Sequence, residues 1–420
     1  MGKSFSSLAS NTLALYVLSF SSQFINIFLI PFETRVLGPS VYGMVALGVS
    51  LSLIVSVVMD FGFLLSATEI VVKHRDDCTH LGRVLTDVTM AKAMIGVIIG
   101  VVVYGIANTI PPFSQDRALF LLYYGAYVLN GLLPDFVYRG IEDMKSITVR
   151  TVLVRTGSML PLFLILRRPA DAYLIPLMIG IGNFAAVLAS FVHLSHRYKI
   201  VLQTPSIGGS LGMLRTSFPY FISRFASTFY QSLNSIILSW MYPGQAVVGH
   251  YGAADKLLSL SKTFSSPIAD SLYPYMIRTK NYRLCIKLLV LVMPVVLLLC
   301  GTLFVFAEPI CLFVFGGGYA GAAILIRCLI PAIAVILPTY IVCFPILVPM
   351  GLSGYANKSN VVGAVVQLLL LSGLSWSGNL NAISLCIAVS ISETTVFAYR
   401  FFAAVVYGRL FKPSLEDLGE

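Results

Sequence analysis

Apolar runs alternate with short polar breaks along almost the whole chain. The runs cover 8–30, 41–67, 84–108, 118–137, 151–166, 173–194, 216–241, 250–272, 284–306, 320–348, 359–375 and 382–406. A helix needs roughly 20 residues to cross the hydrocarbon core, and only a helix or a closed barrel satisfies its backbone there. The pattern predicts an all-α polytopic membrane protein of twelve helices. Charged residues or Gly and Pro clusters bound each run. The longest break, 195–215, contains Pro205, Gly208 and Gly209 and divides the spans six and six. Both halves then enter the membrane in the same sense, as in a parallel repeat about an axis along the membrane normal.

Traces of duplication agree with that division. Asn26, Tyr42-Gly43 and Asp60 recur as Asn234, Tyr251-Gly252 and Asp270, at offsets between 208 and 210 residues. The expected architecture is an N-terminal six-helix lobe over 1–200 and a C-terminal six-helix lobe over 201–420, pseudo-symmetric around a central cavity.

Composition supports a membrane location. Hydrophobic residues make up 57% of the chain and charged residues 11%, against roughly 25% charged in soluble domains. The formal charge of +10 does not point to nucleic acid, because the cations are sorted by side. Seventeen Lys and Arg fall in breaks on one face and only Arg35, Arg117, Arg167 and Arg168 on the other. Positive charge stays in the cytoplasm, so both termini are expected there. The first run carries Asn11, Ser19, Gln23 and Asn26 and lacks a small-residue cleavage site, so it reads as a retained helix. Seven cysteines are scattered without metal-ligand spacing. No P-loop, dinucleotide fingerprint or nucleophile elbow occurs. The sequence therefore predicts no enzyme, no cofactor, no catalytic residue and no metal.

The remaining cations lie inside spans: Lys92, Arg155, Arg224, Lys256, Lys262, Arg327 and Arg400. Each costs about 2.5–3.5 kcal/mol at the bilayer centre, so together they would cost on the order of 20 kcal/mol facing lipid. They must snorkel to an interface, pack helices together, or face a wet, anionic site. Arg224, Gln231 and Asn234 recur at three- and four-residue steps with Ser227, Thr228 and Ser235, a polar stripe on span seven. Asp255, Ser259, Lys262, Ser266 and Asp270 form another on span eight. Substrate contact is accordingly expected at Lys92, Arg155, Arg224, Gln231, Asn234, Lys256 and Arg327. The intramembrane acids Asp60, Asp255 and Glu393 are candidates for ion coupling, against the alternative of pairing with a nearby cation. Pro331, Pro338, Pro345 and Pro349 punctuate span ten, where a carrier could bend or a static kink could sit. Gly316-Gly317-Gly318 reads as a turn.

Several segments, taken in order, resemble the O-antigen repeat-unit flippases. These are polysaccharide exporters of the MOP superfamily, related to the lipid II flippase and the multidrug and toxin extrusion carriers. The segments are Thr34-Arg35-Val36-Leu37-Gly38-Pro39-Ser40-Val41-Tyr42-Gly43; Asp60-Phe61-Gly62-Phe63 with Ala67-Thr68 and Arg75-Asp76; Gly249-His250-Tyr251-Gly252-Ala253-Ala254-Asp255-Lys256; Pro267 with Tyr273-Pro274; and Phe315-Gly316-Gly317-Gly318-Tyr319. The resemblance implies alternating access in a bacterial cell inner membrane. It also implies an undecaprenyl-pyrophosphate-linked oligosaccharide as substrate, membrane lipids as surroundings, and the O-antigen polymerase and chain-length regulator as partners. Two other readings stay open: a multidrug or metabolite exporter of the same fold, and a membrane O-antigen polymerase, which would be expected to carry a large periplasmic loop that this sequence lacks.

Overall fold

The computed structural model describes the backbone of residues 2–407. It describes the side chains of 28–407 except 223, 226, 227, 229–231, 271, 274, 275 and 278. Gln231, with Thr12, Ser19, Gln23 and Asn26 of the first span, therefore lies outside the described side chains.

Among the described residues the fold is helical without strands. The helices are α1 (Gly2–Asp60), α2 (Phe63–Lys73), α3 (Cys78–Thr109), α4 (Arg117–Gly131), α5 (Asp135–Gly140), α6 (Met144–Met159), α7 (Leu162–Ile165), α8 (Leu174–Tyr198), α9 (Ile207–Met241), α10 (Ala246–Thr279), α11 (Tyr282–Val305), α12 (Ala307–Phe315), α13 (Ala322–Ile341), α14 (Ser353–Trp376) and α15 (Ala382–Val406). Every apolar run falls mainly on helix, and eight helical segments are individually long and apolar enough to cross a membrane. The faces they leave uncovered fit lipid. On α11, Val290, Leu291 and Leu298 are 68%, 73% and 70% exposed, an apolar surface that only hydrocarbon can accommodate at such extent.

Local chemistry explains where helices bend. α1 contains both of the first two runs and turns at Gly38, whose φ of 71° and ψ of 169° leave the helical region. A Cβ is disfavoured at that φ, so glycine suits the position. Span four is broken between α4 and α5, where Pro134 precedes Asp135. Span five breaks at Leu160-Pro161 between α6 and α7. Beyond α13 the chain continues as a π-helical segment, Val342–Leu347, containing Pro345. The Gly316 turn is present, with φ 104°; the nine-residue α12 before it occupies the break predicted between spans nine and ten.

Contacts divide the chain into two compact units, 1–249 and 250–420. In the first, α1 packs against α4, α6 and α9, α4 against α8, α3 against α9, and α2 against α5. Met59, Phe63, Val88, Phe136 and Tyr138 are buried in its core. Helix α9 packs within this unit against α1, α2 and α3. In the second unit α15 packs against both α13 and α14, around Ile341, Leu347, Ala403 and Ala404.

Two of the recurring segments meet inside the first unit. A Cβ built on Gly249 would lie 1.9 Å from the Pro39 carbonyl oxygen, and one on Gly43 would lie 2.9 Å from the Gly249 nitrogen. The Ser40 hydroxyl donates to the Gly244 carbonyl close by. Gly38-Pro39-Ser40-Val41-Tyr42-Gly43 thus keeps its shape because another stretch of backbone lies directly on it, with Tyr42 only 2% exposed.

Candidate functional site

A cavity of about 390 Å³ lies within the first unit, walled by α1, α2, α3, α4, α5, α6, α8 and α9. Five cations line it: Lys92, Arg139, Arg150, Arg155 and Arg224. Against them stand two carboxylates, Asp60 and Asp135, with Ser56, Asn130, Thr151 and Asn183 as neutral polar lining. Five against two leaves a formal excess of three positive charges. An apolar drug cannot balance that excess, but a polyanion can.

The turn after α1 positions the first pair. Phe61 (φ 44°) and Gly62 (φ 79°) end the helix, and Phe61 stacks on Phe221 of α9 with ring centroids 4.4 Å apart. Arg224 follows Phe221 by three residues, nearly one helical turn, and so comes beside Asp60. Its Nη1 donates to Asp60 Oδ2 at 3.0 Å. The pair is partly wet, with Arg224 47% and Asp60 19% exposed, so it can be exchanged for a bound anion at small cost.

Lys92 is held differently. It is 5% exposed, and its Nζ donates to the carbonyls of Gly131 and Leu133 at 2.7 and 3.2 Å. These are the free carbonyls where α4 stops before Pro134, the negative end of a helix. The ammonium also lies 5.6 Å from the Phe136 ring centroid. Lys92 is therefore both a cap for the α4–α5 break and part of the cavity wall.

Arg150 ties three elements together. Its Nη2 donates to Asp135 of α5 at 2.6 Å and its Nη1 to the Ser190 hydroxyl of α8 at 2.8 Å. Its Nε is buried without an acceptor among the described residues. Tyr138 supports the same corner: its hydroxyl bonds the Ser190 carbonyl at 3.1 Å and His193 Nδ1 at 3.0 Å. Ile147, Arg150, Thr151, Val154 and Arg155 form one stripe of α6 facing the cavity. The Arg155 side chain is exposed and makes no hydrogen bond or ion pair to any described residue; the Arg139 side chain is in the same condition. On the opposite wall Asn183 Nδ2 donates to the Ala126 carbonyl at 2.9 Å, and Asn130 approaches Asn183 at 3.5 Å.

Of the residues singled out in the sequence, Asp60, Lys92, Arg155 and Arg224 come together here. Asn234 is on α9 but 4% exposed and off the cavity wall. The other candidates belong to the second unit. Lys256 and Asp255 are adjacent and half-buried on α10. Arg327 donates through Nε to the Phe304 carbonyl at 3.0 Å and covers the Phe304 ring, at the C-terminal end of α11. Glu393 accepts from Lys262 Nζ at 2.7 Å, an ion pair 12% and 25% exposed. Arg400 is buried, bridging α15 to Ser359 and Asn360 of α14 and the Thr339 carbonyl of α13; it holds helices together. Asp270 accepts from Ser266 at 3.0 Å, whereas Asp60 has an arginine.

Comparison with known proteins places this geometry. Residues 8–280 match the family described as polysaccharide biosynthesis protein. The chain belongs to that family. Two relatives bear the name "Putative O-antigen transporter". The one from Shigella dysenteriae is 21% identical over 67% of this chain and 70% of its own length. The one from Escherichia coli (strain K12) is 24% identical over 64% of each. The fold is similar to those of solved membrane transporters. The lipid II flippase MurJ in an inward closed conformation aligns with a TM-score of 0.72 at 12% identity, covering 96% of this chain and 90% of that one. An inward-facing multidrug resistance MATE family transporter aligns at 0.68 and 14%, covering 96% and 99%. The family match takes in every residue that lines the cationic cavity.

Proposed function

We propose that this protein is a flippase for a lipid-linked anionic oligosaccharide. It moves an undecaprenyl-pyrophosphate-linked O-antigen unit from the cytoplasmic to the periplasmic leaflet by alternating access. The observation that carries the reading is the excess of cations in one small cavity, two of them without a protein partner among the described residues. A pyrophosphate offers several charge-assisted acceptors to such a cluster, while the polyprenyl chain stays in lipid. Arg155 and Arg139 are assigned to the phosphate oxygens, Arg224 to an anion that displaces Asp60, and Lys92 and Arg150 to keeping the wall in place.

Twelve crossings, duplicated halves over 1–200 and 201–420, a bacterial inner-membrane location and cytoplasmic termini belong to the same proposal. They are supported by the apolar runs and the seventeen-to-four sorting of cations. A non-enzymatic carrier is favoured by the family and by names of relatives that describe transport. Coupling to an ion gradient, with Asp60, Asp255 and Glu393 as carriers of the ion, and collaboration with the O-antigen polymerase and chain-length regulator complete it. A drug exporter of the same fold fits less well, because bringing a neutral or cationic drug into this cavity leaves its cations uncompensated.

The test is complementation of a strain lacking its own repeat-unit flippase, with membrane levels checked and surface polysaccharide scored. Arg224→Ala is expected to lose surface polysaccharide and Arg224→Lys to restore part of it, while Arg327→Ala retains activity if its membrane level holds. Full activity from Arg224→Ala together with Arg155→Ala would remove the cavity from the mechanism.

A further inference from the structure

A second concavity of about 580 Å³ lies between α6 and α8. Both helices are long and apolar enough, with their extensions, to span a membrane, and both leave most of their surface uncovered. Val149 and Leu153, 48% and 67% exposed, form an apolar wall. At one end of the groove are Lys145, at the start of α6, and Arg197, at the end of α8. Arg150 and His193 also line it. Lys145 is exposed and makes no hydrogen bond or ion pair to any described residue. Arg197 has the face of Tyr198 at 5.9 Å. The one carboxylate in the lining, Asp143, is already engaged by the Ser146 amide and hydroxyl and the Tyr198 hydroxyl.

We propose that this groove binds one anionic phospholipid, its phosphate between Lys145, Arg150 and Arg197 and an acyl chain along Val149 and Leu153. Basic pockets between transmembrane helices at a cytoplasmic surface are suited to acidic headgroups, and each nearby cation adds to the attraction. With Arg150 paired to Asp135, Lys145 and Arg197 still outnumber Asp143 in the lining, an excess that favours an anion over a zwitterionic headgroup. Arg150 supplies the second, independent observation. Its side chain is 9% exposed, its Nε has no acceptor among the described residues, and it lines both this groove and the transport cavity. A headgroup phosphate is the acceptor it lacks. Val154 is the other residue common to both linings, so these two side chains form a shared wall and a lipid in the groove steadies the Asp135–Arg150–Ser190 corner of the cavity. The inference stands apart from the transport reading, since it concerns a different concavity and a different ligand.

The experiment titrates the purified full-length protein with phosphatidylglycerol or phosphatidylcholine and counts retained lipid by native mass spectrometry. Phosphatidylglycerol is expected to bind more tightly than phosphatidylcholine. Removing two surface cations in Lys145→Gln/Arg197→Gln should weaken it roughly thirtyfold, while Arg224→Ala, in the transport cavity, keeps it. Leu153→Trp, at a position already exposed, should obstruct the acyl chain and weaken binding without removing charge, and serves if the double variant fails to fold. Equal retention of the two lipids, or unchanged binding in both groove variants, would overturn the proposal. So would displacement by millimolar inorganic phosphate, which would make this a free-anion site. Preference for a polyprenyl diphosphate over phosphatidylglycerol would also overturn it, by giving the groove to the transported lipid.

Discussion

Arg155→Gln separates a binding role from a structural one. Arg155 sits on the cavity stripe of α6 and its side chain bonds to no described residue, so removing its charge takes no hydrogen bond or ion pair away from the protein. A substitution of that kind changes stability by about 0.5 kcal/mol or less. If the guanidinium meets a phosphate oxygen in the loaded carrier, its loss removes a charged hydrogen bond, about 1.5–3 kcal/mol. That corresponds to a roughly ten- to 150-fold weaker engagement of substrate. The assay pairs two readouts on one membrane preparation: the detergent melting temperature of the tagged protein, and surface polysaccharide in the flippase-deficient strain. Arg155→Gln should melt with the unmodified protein and transport poorly, with Arg155→Lys intermediate because the charge remains and the planar fork does not. A large fall in melting temperature would show that Arg155 has a structural partner. Normal polysaccharide at normal protein level would show that the cavity does not hold the phosphate.

Three further outcomes follow from the same geometry. Arg150→Met should destabilise by about 2–4 kcal/mol, since it strands Asp135 after breaking a largely buried pair; adding Asp135→Asn should recover a measurable part in a double-mutant cycle of melting temperatures, and strictly additive losses would refute the pairing. Gly249→Ala puts a methyl group 1.9 Å from the Pro39 carbonyl oxygen, a backbone atom that cannot rotate aside, so a loss of about 3 kcal/mol or more is expected in a thermal melt, and an unaltered melt would contradict that contact. Asp143, at the polar end of the α6–α8 groove, is pushed upward by burial but held below the ordinary carboxylate range overall by hydrogen bonds from Ser146 and Tyr198. A lowered folded value means that its contribution is present above the unfolded value of about 3.9 and is lost as pH falls through the folded one. Asp143→Asn should therefore flatten the acid side of a melting-temperature profile, and a profile as steep as that of the unmodified protein would refute the role.

Apolar periodicity and length report on backbone satisfaction in lipid, which is a local property, so the helices and the membrane environment were readable from residue order alone. The breaks at Pro134 and Pro161 were not predicted, although each sits at a residue that disfavours helix. A charge inside a span is also legible, because its cost in lipid does not depend on the fold; Lys92, Arg155, Arg224 and Asp60 were found that way. What such a charge does is not local. Arg327 and Arg400 carry the same signal as Arg155, yet the first covers the end of α11 and the second crosses three helices, because their neighbours come from distant segments.

Arg139, Arg150 and Asp135 were missed for a related reason. They follow or precede a predicted span end, where basic residues ordinarily record topology, and only the α4–α5 break and the packing of α6 on α8 turn them toward the cavity. Asn183 left a fainter trace, a single amide in the otherwise apolar run of α8. Residue order thus determined that this chain is a helical membrane protein with too many buried cations to be inert. Tertiary structure decided which of them share a cavity, which cap a helix and which hold helices together, because those roles depend on partners that sequence spacing does not reveal.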